Sequence, residues 1–287
     1  MHISHIFSQK RQLKNKTHER KQTYTAFLLH QFILGLCKTH PIMRILVCIS
    51  NVPDTTSKIT FANNGSTFNT AGVQFIVNPY DEIALSKAIE LAEGGKGTVT
   101  VINVGESSTE ATIRKALATG ADDAVRVDSE PRDAWFVANQ IANYVKSNAF
   151  DLILTGRESI DYNGTQVGAI LGELLDIPSI SIAKKLDIDG NSATVEREIE
   201  GGKEILTTTL PIVVGVAEGV AEPKIPNMRG IMSARTKPLA VVPPIEVSQL
   251  SSIGNYESPA PRGTVKMVDA AEVEKLVGLL HDEAKVI

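Results

Sequence analysis

The run from Gly156 to Gly168, Gly-Arg-Glu-Ser-Ile-Asp-Tyr-Asn-Gly-Thr-Gln-Val-Gly, has the make-up of a ligand loop. It leaves an apolar stretch, residues 152–154, and enters a segment of helical period. Small residues stand at Gly164, Thr165 and Gly168, where backbone N–H groups would have to approach a ligand. The amino end of a helix offers unpaired amide donors and the positive end of the helix dipole, a combination suited to phosphate. The spacing is neither the GxGxxG of a dinucleotide turn nor the GxxxxGK[ST] of a P-loop, so it reads equally as an ordinary strand-to-helix connection.

Other side-chain chemistry is sparse. The six histidines stand at 2, 5, 18, 30, 40 and 281, which leaves the body of the chain without a histidine base or metal ligand. Cys48 closes an apolar strand with no histidine to partner it and reads as a small buried hydrophobe. Glu196-Arg197-Glu198 alternates between turn residues, as a solvated strand face with a cross-strand ion pair does. Trp135 near a helix start reads as core. With no acid–base constellation, the sequence favours a binding or carrier role, not an enzyme.

Composition narrows the classes. The chain has 287 residues, 43% of them hydrophobic and 22% charged, and no apolar run of the roughly 20 residues that span a bilayer. Two cysteines, Cys37 and Cys48, exclude a disulfide framework and a zinc ribbon, and fit a reducing, cytoplasmic setting. The net charge of -4 is uneven: residues 1–42 hold seven Lys/Arg against Glu19 alone, so the remainder carries -10. An acidic body lacks the basic face that nucleic acid requires. Residues 1–42 read as a basic, non-structural extension, either upstream sequence preceding a start at Met43 or a targeting peptide.

From Met43 onward the elements that must carry the loop are legible. Apolar, Val/Ile-rich runs at 45–49, 99–104, 124–127 and 152–154 alternate with helical segments, the pattern of an α/β fold with a mainly parallel sheet and helices on both faces. Asn78-Pro79 reads as an N-cap followed by proline at the first helical position, with Ile83, Ala84, Ala88, Leu91 and Ala92 facing inward. Residues 107–110 read as a capping box opening a second helix that Gly120 ends. A third helix is expected over 132–147, and a fourth after Gly164, stopping before Pro178. Segments 186–188, 193–200 and 204–210, split by the turns 189–191 and 201–202, predict an antiparallel hairpin addition. A Pro/Ser/Gly-rich run over 243–263 predicts an extended arm, and a last helix is expected at 270–281. Ligands of such a sheet bind beyond the carboxyl ends of its strands, at residues 48–50, 104–105 and 155–156.

Several segments in this order resemble the beta subunit of electron-transfer flavoproteins. They are residues 44–54 (RILVCISNVPD), 77–84 (VNPYDEIA), 113–122 (IRKALATGAD), 151–161 (DLILTGRESID), 195–202 (VEREIEGG), Glu222-Pro223 and 231–235 (IMSAR). The resemblance implies an adenine-nucleotide-binding α/β domain over 43–235 with a partner-docking segment at about 218–235, then a C-terminal arm and helix over 236–287. It implies pairing with an alpha subunit that carries FAD, electrons arriving from acyl-CoA or other flavin dehydrogenases and leaving to a quinone reductase.

The same resemblance implies a structural AMP, or a second FAD as in bifurcating members. Its contacts would be Cys48, Asn78, Pro79, Tyr80, Asp81, Val104, Leu152, Gly156, Arg157, Glu158, Ser159, Ile160, Asp161, Tyr162, Asn163, Gly164, Thr165, Gln166 and Val167. Docking falls on Met228, Ile231, Met232 and Arg235, and Glu198 would help orient the partner's mobile flavin domain. Tyr162-Asn163 replaces an acidic pair common in the family, which leaves AMP and second FAD both open, and Ser233 and Thr236 stand where lysines are common. A stand-alone universal-stress-type nucleotide binder shares the sheet; the hairpin and the arm, fit for wrapping a permanent partner, separate the two.

Overall fold

The structure, a computed structural model, describes residues 42–287; the basic segment before them, with the expectations placed on it, lies outside the described residues. In chain order the elements are β1 (Met43–Cys48), β2 (Asn51–Pro53), β3 (Phe61–Ala62), β4 (Thr67–Phe68), β5 (Phe75–Val77), α1 (Pro79–Ala92), β6 (Gly97–Val104), α2 (Glu110–Thr119) and β7 (Asp123–Val127). They continue with α3 (Ala134–Ser147), β8 (Leu152–Gly156), α4 (Val167–Leu175), β9 (Ser179–Asp189), β10 (Ser192–Ile199), β11 (Gly202–Thr209), β12 (Ile212–Val216), α5 (Met228–Ala234), β13 (Leu239–Val242) and α6 (Val273–Gly278).

Two compact units result. Among the described residues, one holds those up to Ser57 with Val73–Ser252, the other Lys58–Gly72 with Ile253–Ile287. The first is built on a nine-stranded sheet of order β11-β10-β9-β12-β8-β1-β6-β7-β13. Its centre is parallel, and the β9–β10–β11 hairpins add the antiparallel edge that the turn residues predict. Gly190 and Gly201 take the positive φ those turns need, at 58° and 81°. Alternate residues of each central strand feed two cores. Ile45, Val47, Val99 and Val101 pack with Ile83, Leu85, Ile113 and Leu117 of α1 and α2; Leu46, Ile102, Val125 and Ile153 pack with Phe136, Ile141 and Leu171 of α3 and α4. The strands are therefore apolar on both faces, as a covered parallel sheet requires.

Two helix starts differ from the sequence reading. Ser107–Thr109 forms a tight 3-10 turn and α2 begins at Glu110 with no side-chain cap, so the capping box is not made. Asn78 precedes α1 without capping it, because its amide is committed elsewhere. At α3, by contrast, Asp133 caps through Oδ1 to the Phe136 N–H (2.7 Å), while its Oδ2 accepts from the N–H groups of Leu250 and Ser251 (2.7 and 2.8 Å). Gln140, buried on the same helix, exchanges two hydrogen bonds with the backbone of Ile245 (2.8 and 2.9 Å). Two side chains thus hold the chain that follows β13.

In the second unit, β3 and β4 form a short antiparallel pair, and Phe61 stacks on Tyr256 at 5.0 Å. The Tyr256 N–H donates to the Gly65 carbonyl (2.7 Å), where a Cβ would collide with the Tyr256 carbonyl oxygen. Residues 243–269 contain no helix or strand, and α6 follows a 3-10 turn at Ala270–Glu272.

Candidate functional site

Strand order reverses between β1 and β8: the chain leaves β1 toward β6 on one side and β8 toward β12 on the other. Ligands of open α/β sheets bind at such a point, beyond the carboxyl ends. There the Asp81 carboxylate joins the two strands, accepting from the Ser50 N–H (2.7 Å) with one oxygen and from the Gly156 N–H (2.9 Å) with the other. Burial pushes its pKa up to about 7, against the pull of the Ser50 N–H, the Asn78 amide and the Gly156 N–H. A Cβ on Gly156 would run into this carboxylate, which accounts for glycine at the strand end.

The 156–167 loop is then fastened from α1. The Asn78 amide nitrogen donates to the Glu158 carbonyl (2.8 Å), and its oxygen accepts from the Ile160 N–H (3.3 Å). The Arg157 guanidinium lies over the Tyr80 ring at 5.3 Å and meets Glu158 at 3.3 Å, while its Nε is buried without a partner. Ser159 N–H bonds the Gly164 carbonyl (3.1 Å), Asp161 takes the Ser159 hydroxyl and the Tyr162 N–H, and Asn163 adopts a left-handed φ of 49°. Tyr162, Thr165 and Gln166 face solvent. Among the described residues, the N–H groups of Val167, Gly168 and Ala169 in the first turn of α4 have no acceptor. This is a donor-lined corner, suited to an anion.

Pro79, Tyr80, Asp81, Cys48 and residues 156–167 therefore share one edge, and Val104 ends β6 two strands away from β8. Cys48 is buried, its thiol pKa driven upward first by burial and then by Asp81, so it is no nucleophile. Leu152 stands apart: it is fully buried at the amino end of β8, paired with Ile45 and Ile212, in the core and not at the strand ends.

Sequence reasoning missed two buried polar residues on this edge. Asn103 donates to the Ile49 carbonyl (2.9 Å), and Arg126 donates to the Gly105 carbonyl (2.9 Å) and meets Asp128. With Asp81 they tie β8 to β1, β1 to β6 and β6 to β7. Each was visible as a polar interruption of an apolar strand.

On the hairpin edge, Arg197 pairs with Glu204 (2.6 Å) and Glu196 with Lys203 (3.0 Å) across β10 and β11, as the alternation predicts. Glu198 is different: 73% of its side chain is exposed, and its contact is with Lys184 of β9 at 3.7 Å. In the docking segment, Met228, Ile231 and Met232 of α5 and Arg235 just after it are exposed to solvent, Met228 being 73% exposed. The backbone beneath is tightly held. Asn227 caps α5 through the Gly230 N–H (2.8 Å), Arg114 donates to the carbonyls of Ala234 and Lys237 (both 2.8 Å), and a Cβ on Gly230 would strike the Ala118 carbonyl. A groove of about 620 Å³ lies between α2 and α5, lined by Ala118, Pro226 and Ile231 with Arg235 at its rim.

Among the described residues there is no group of three His, Cys, Asp or Glu that could hold a metal, and no helix long and apolar enough to cross a membrane. Comparison with known proteins adds the following. The family described as "Electron transfer flavoprotein domain" matches residues 65–247. The electron transfer flavoprotein subunit beta of Bacillus subtilis (strain 168) is 37% identical over 259 residues, covering 85% of this chain and 100% of the relative. The mitochondrial subunit beta of Arabidopsis thaliana is 33% identical over 254 residues, with 85% and 100% covered. The subunit beta of Homo sapiens is 31% identical over 240 residues, with 80% and 94% covered.

Proposed function

Because the chain belongs to the electron transfer flavoprotein family, among its beta subunits, we propose that it pairs with an FAD-carrying alpha subunit as a cytoplasmic electron carrier that binds AMP in a structural role. Electrons enter from acyl-CoA or other flavin dehydrogenases and leave to a quinone reductase. The redox chemistry is supplied by FAD in the partner; this chain's part is to hold the nucleotide, order the interface and present the docking segment. The observation that carries the AMP reading is the first turn of α4, beyond the carboxyl end of β8 at the point where strand order reverses, where three amide donors lack an acceptor. The loop that presents them is fixed in place by Asn78 and Asp81, so a phosphate would meet a preformed set of donors. Exposed methionines on a rigid helix suit a carrier with several partners, since a thioether adapts to differently shaped pockets.

Purification with the alpha subunit tests the reading. A yellow complex that releases, on heating, one AMP and one FAD per pair is the expected result. Two FAD and no AMP would assign the edge to a second flavin, and a colourless homo-oligomer would overturn the carrier reading.

A further inference from the structure

Helices α2 and α5 close each other's carboxyl ends. The last carbonyls of a helix have no partner within it and form the negative pole of its dipole, so they favour a cation. Arg114, half-buried on α2, reaches across to α5, where its Nη1 donates to the carbonyl of Ala234, the last residue of that helix, and to that of Lys237 (both 2.8 Å). Lys237, three residues past α5, reaches back. Its Nζ donates to the carbonyl of Leu117 in the last turn of α2 (3.0 Å) and to that of Ala121 just beyond it. Between the two cations the backbones meet, since a Cβ on Gly230 would strike the Ala118 carbonyl. The result is a crossed clamp whose four bonds all end on backbone.

Helix α5 needs one. It has seven residues, a glycine among them, whereas a helix alone in water is marginal below about 12–15 residues. Its local closures are the Asn227 cap at one end and, at the other, the N–H groups of Thr236 and Lys237 sharing the Ser233 carbonyl. Packing adds little, because Ala234 is the one buried residue of α5 and its large apolar side chains, Met228, Ile231 and Met232, are exposed. The conformation of the segment is therefore imposed from α2.

We propose that Arg114 and Lys237 are positioning residues for partner docking: they hold α5 folded before a dehydrogenase arrives, so that Met228, Ile231 and Met232 meet it as one preformed patch. The inference rests on the docking reading of α5 and deepens it. Neither cation has to touch the partner. A segment without its clamp must be ordered at the moment of binding, and apparent affinity falls with the fraction of molecules in which it is already folded. Once docked, the complex has the same geometry, so the loss falls on KM and not on kcat.

The test assays the complex with the alpha subunit against an acyl-CoA dehydrogenase that reduces it, the complex being the varied substrate. Arg114→Met and Lys237→Met should each raise the apparent KM about three- to tenfold, the rise that follows when the folded segment drops to between about a third and a tenth of the molecules, with kcat and flavin content unchanged. Arg114→Lys, which keeps a donor for the same carbonyls, should lie between Arg114→Met and the parent. Trypsin should cut both Met variants faster after Arg229 and Arg235, since cleavage follows the population of the open segment. Met228→Ala is the comparison, raising KM without changing the rate of cleavage. A rise in KM for Met228→Ala but not for Arg114→Met and Lys237→Met would overturn the clamp and leave the docking reading standing. A fall in kcat or flavin content alongside the rise in KM would give the two cations a general structural role and overturn the proposal as well. An unchanged KM in all of these variants would overturn the docking reading and the inference with it.

Discussion

The carboxyl edge of the sheet and the docking helix solve opposite problems. At the edge, side chains are spent on backbone: Asp81, Asn103 and Arg126, all buried, tie four neighbouring strands through their terminal N–H and C=O groups. At α5, backbone is fixed from below by Arg114 and the close approach of Gly230, and the outward side chains touch little. The first region defines where donors stand to within a hydrogen bond; the second defines a platform and leaves its decoration free. Positional accuracy costs buried polar groups, and adaptability needs none.

The sharpest way to break the edge is Asp81→Ala, which leaves the half-buried N–H groups of Ser50 and Gly156 without their acceptor. A loss of about 3–5 kcal/mol is expected from the usual cost of each unmade bond, read by urea unfolding. A loss below about 1 kcal/mol would show that the strand ends need no tie. Next in size is Gly230→Ala, whose Cβ must push the Ala118 carbonyl and separate α5 from α2; overpacking of this kind costs about 1–3 kcal/mol. Met228→Ala should behave in the opposite manner. Unfolding and AMP content stay as they were, while the apparent KM for the carrier in a dehydrogenase assay rises by about tenfold or more, as for an interface hot spot.

Two smaller effects sharpen the contrast. Gly164 has open space where a Cβ would go, so Gly164→Val should lower AMP content without lowering stability; equal loss of both would move the ligand elsewhere. Asp81 also gives the edge a pH signature. Its pKa is raised in the folded state, to about 7, above the roughly 3.9 of an unfolded aspartate, so between those values the folded chain binds the extra proton and stability falls as pH rises. Unfolding free energy should therefore increase from pH 7 to pH 5, by at most about 1.4 kcal/mol per pH unit, and Asp81→Asn should flatten that slope. The carboxyls held below their ordinary values, Asp54, Glu93, Asp133 and Glu218, act in the other sense and only in more acidic solution.

What could be read in advance follows from range. Helices α1 to α4 and the parallel strands β1, β6, β7 and β8 announced themselves through periodicity, and the hairpin through Gly190 and Gly201, because those signals are local; the parallel strands β12 and β13 were not read. The loop at 156–168 was legible as a strand-to-helix connection for the same reason. Asn78 was not: its local option, capping α1, lost to a partner 80 residues away. The capping box at Ser107 gave way to a 3-10 turn that no spacing rule distinguishes from it. Lys184, the extra residue of a bulge where β9 passes β10, looked like any strand lysine, since a bulge appears only when two strands are laid side by side. Asn103 and Arg126 left a trace, a large polar residue in an otherwise apolar stretch, yet their targets belong to neighbouring strands.

Asp133 has a consequence for the order in which the chain assembles. One of its oxygens completes the first turn of α3 and the other receives the backbone of Leu250 and Ser251. The cap holds one oxygen on the Phe136 N–H, which leaves the other turned to the segment that follows β13. During synthesis the helix emerges more than a hundred residues before the segment it will hold, so the clamp is set long before there is anything to clasp. The late-arriving strap is therefore fastened to a side chain that serves an element made well before it, and the same carboxylate ties both together.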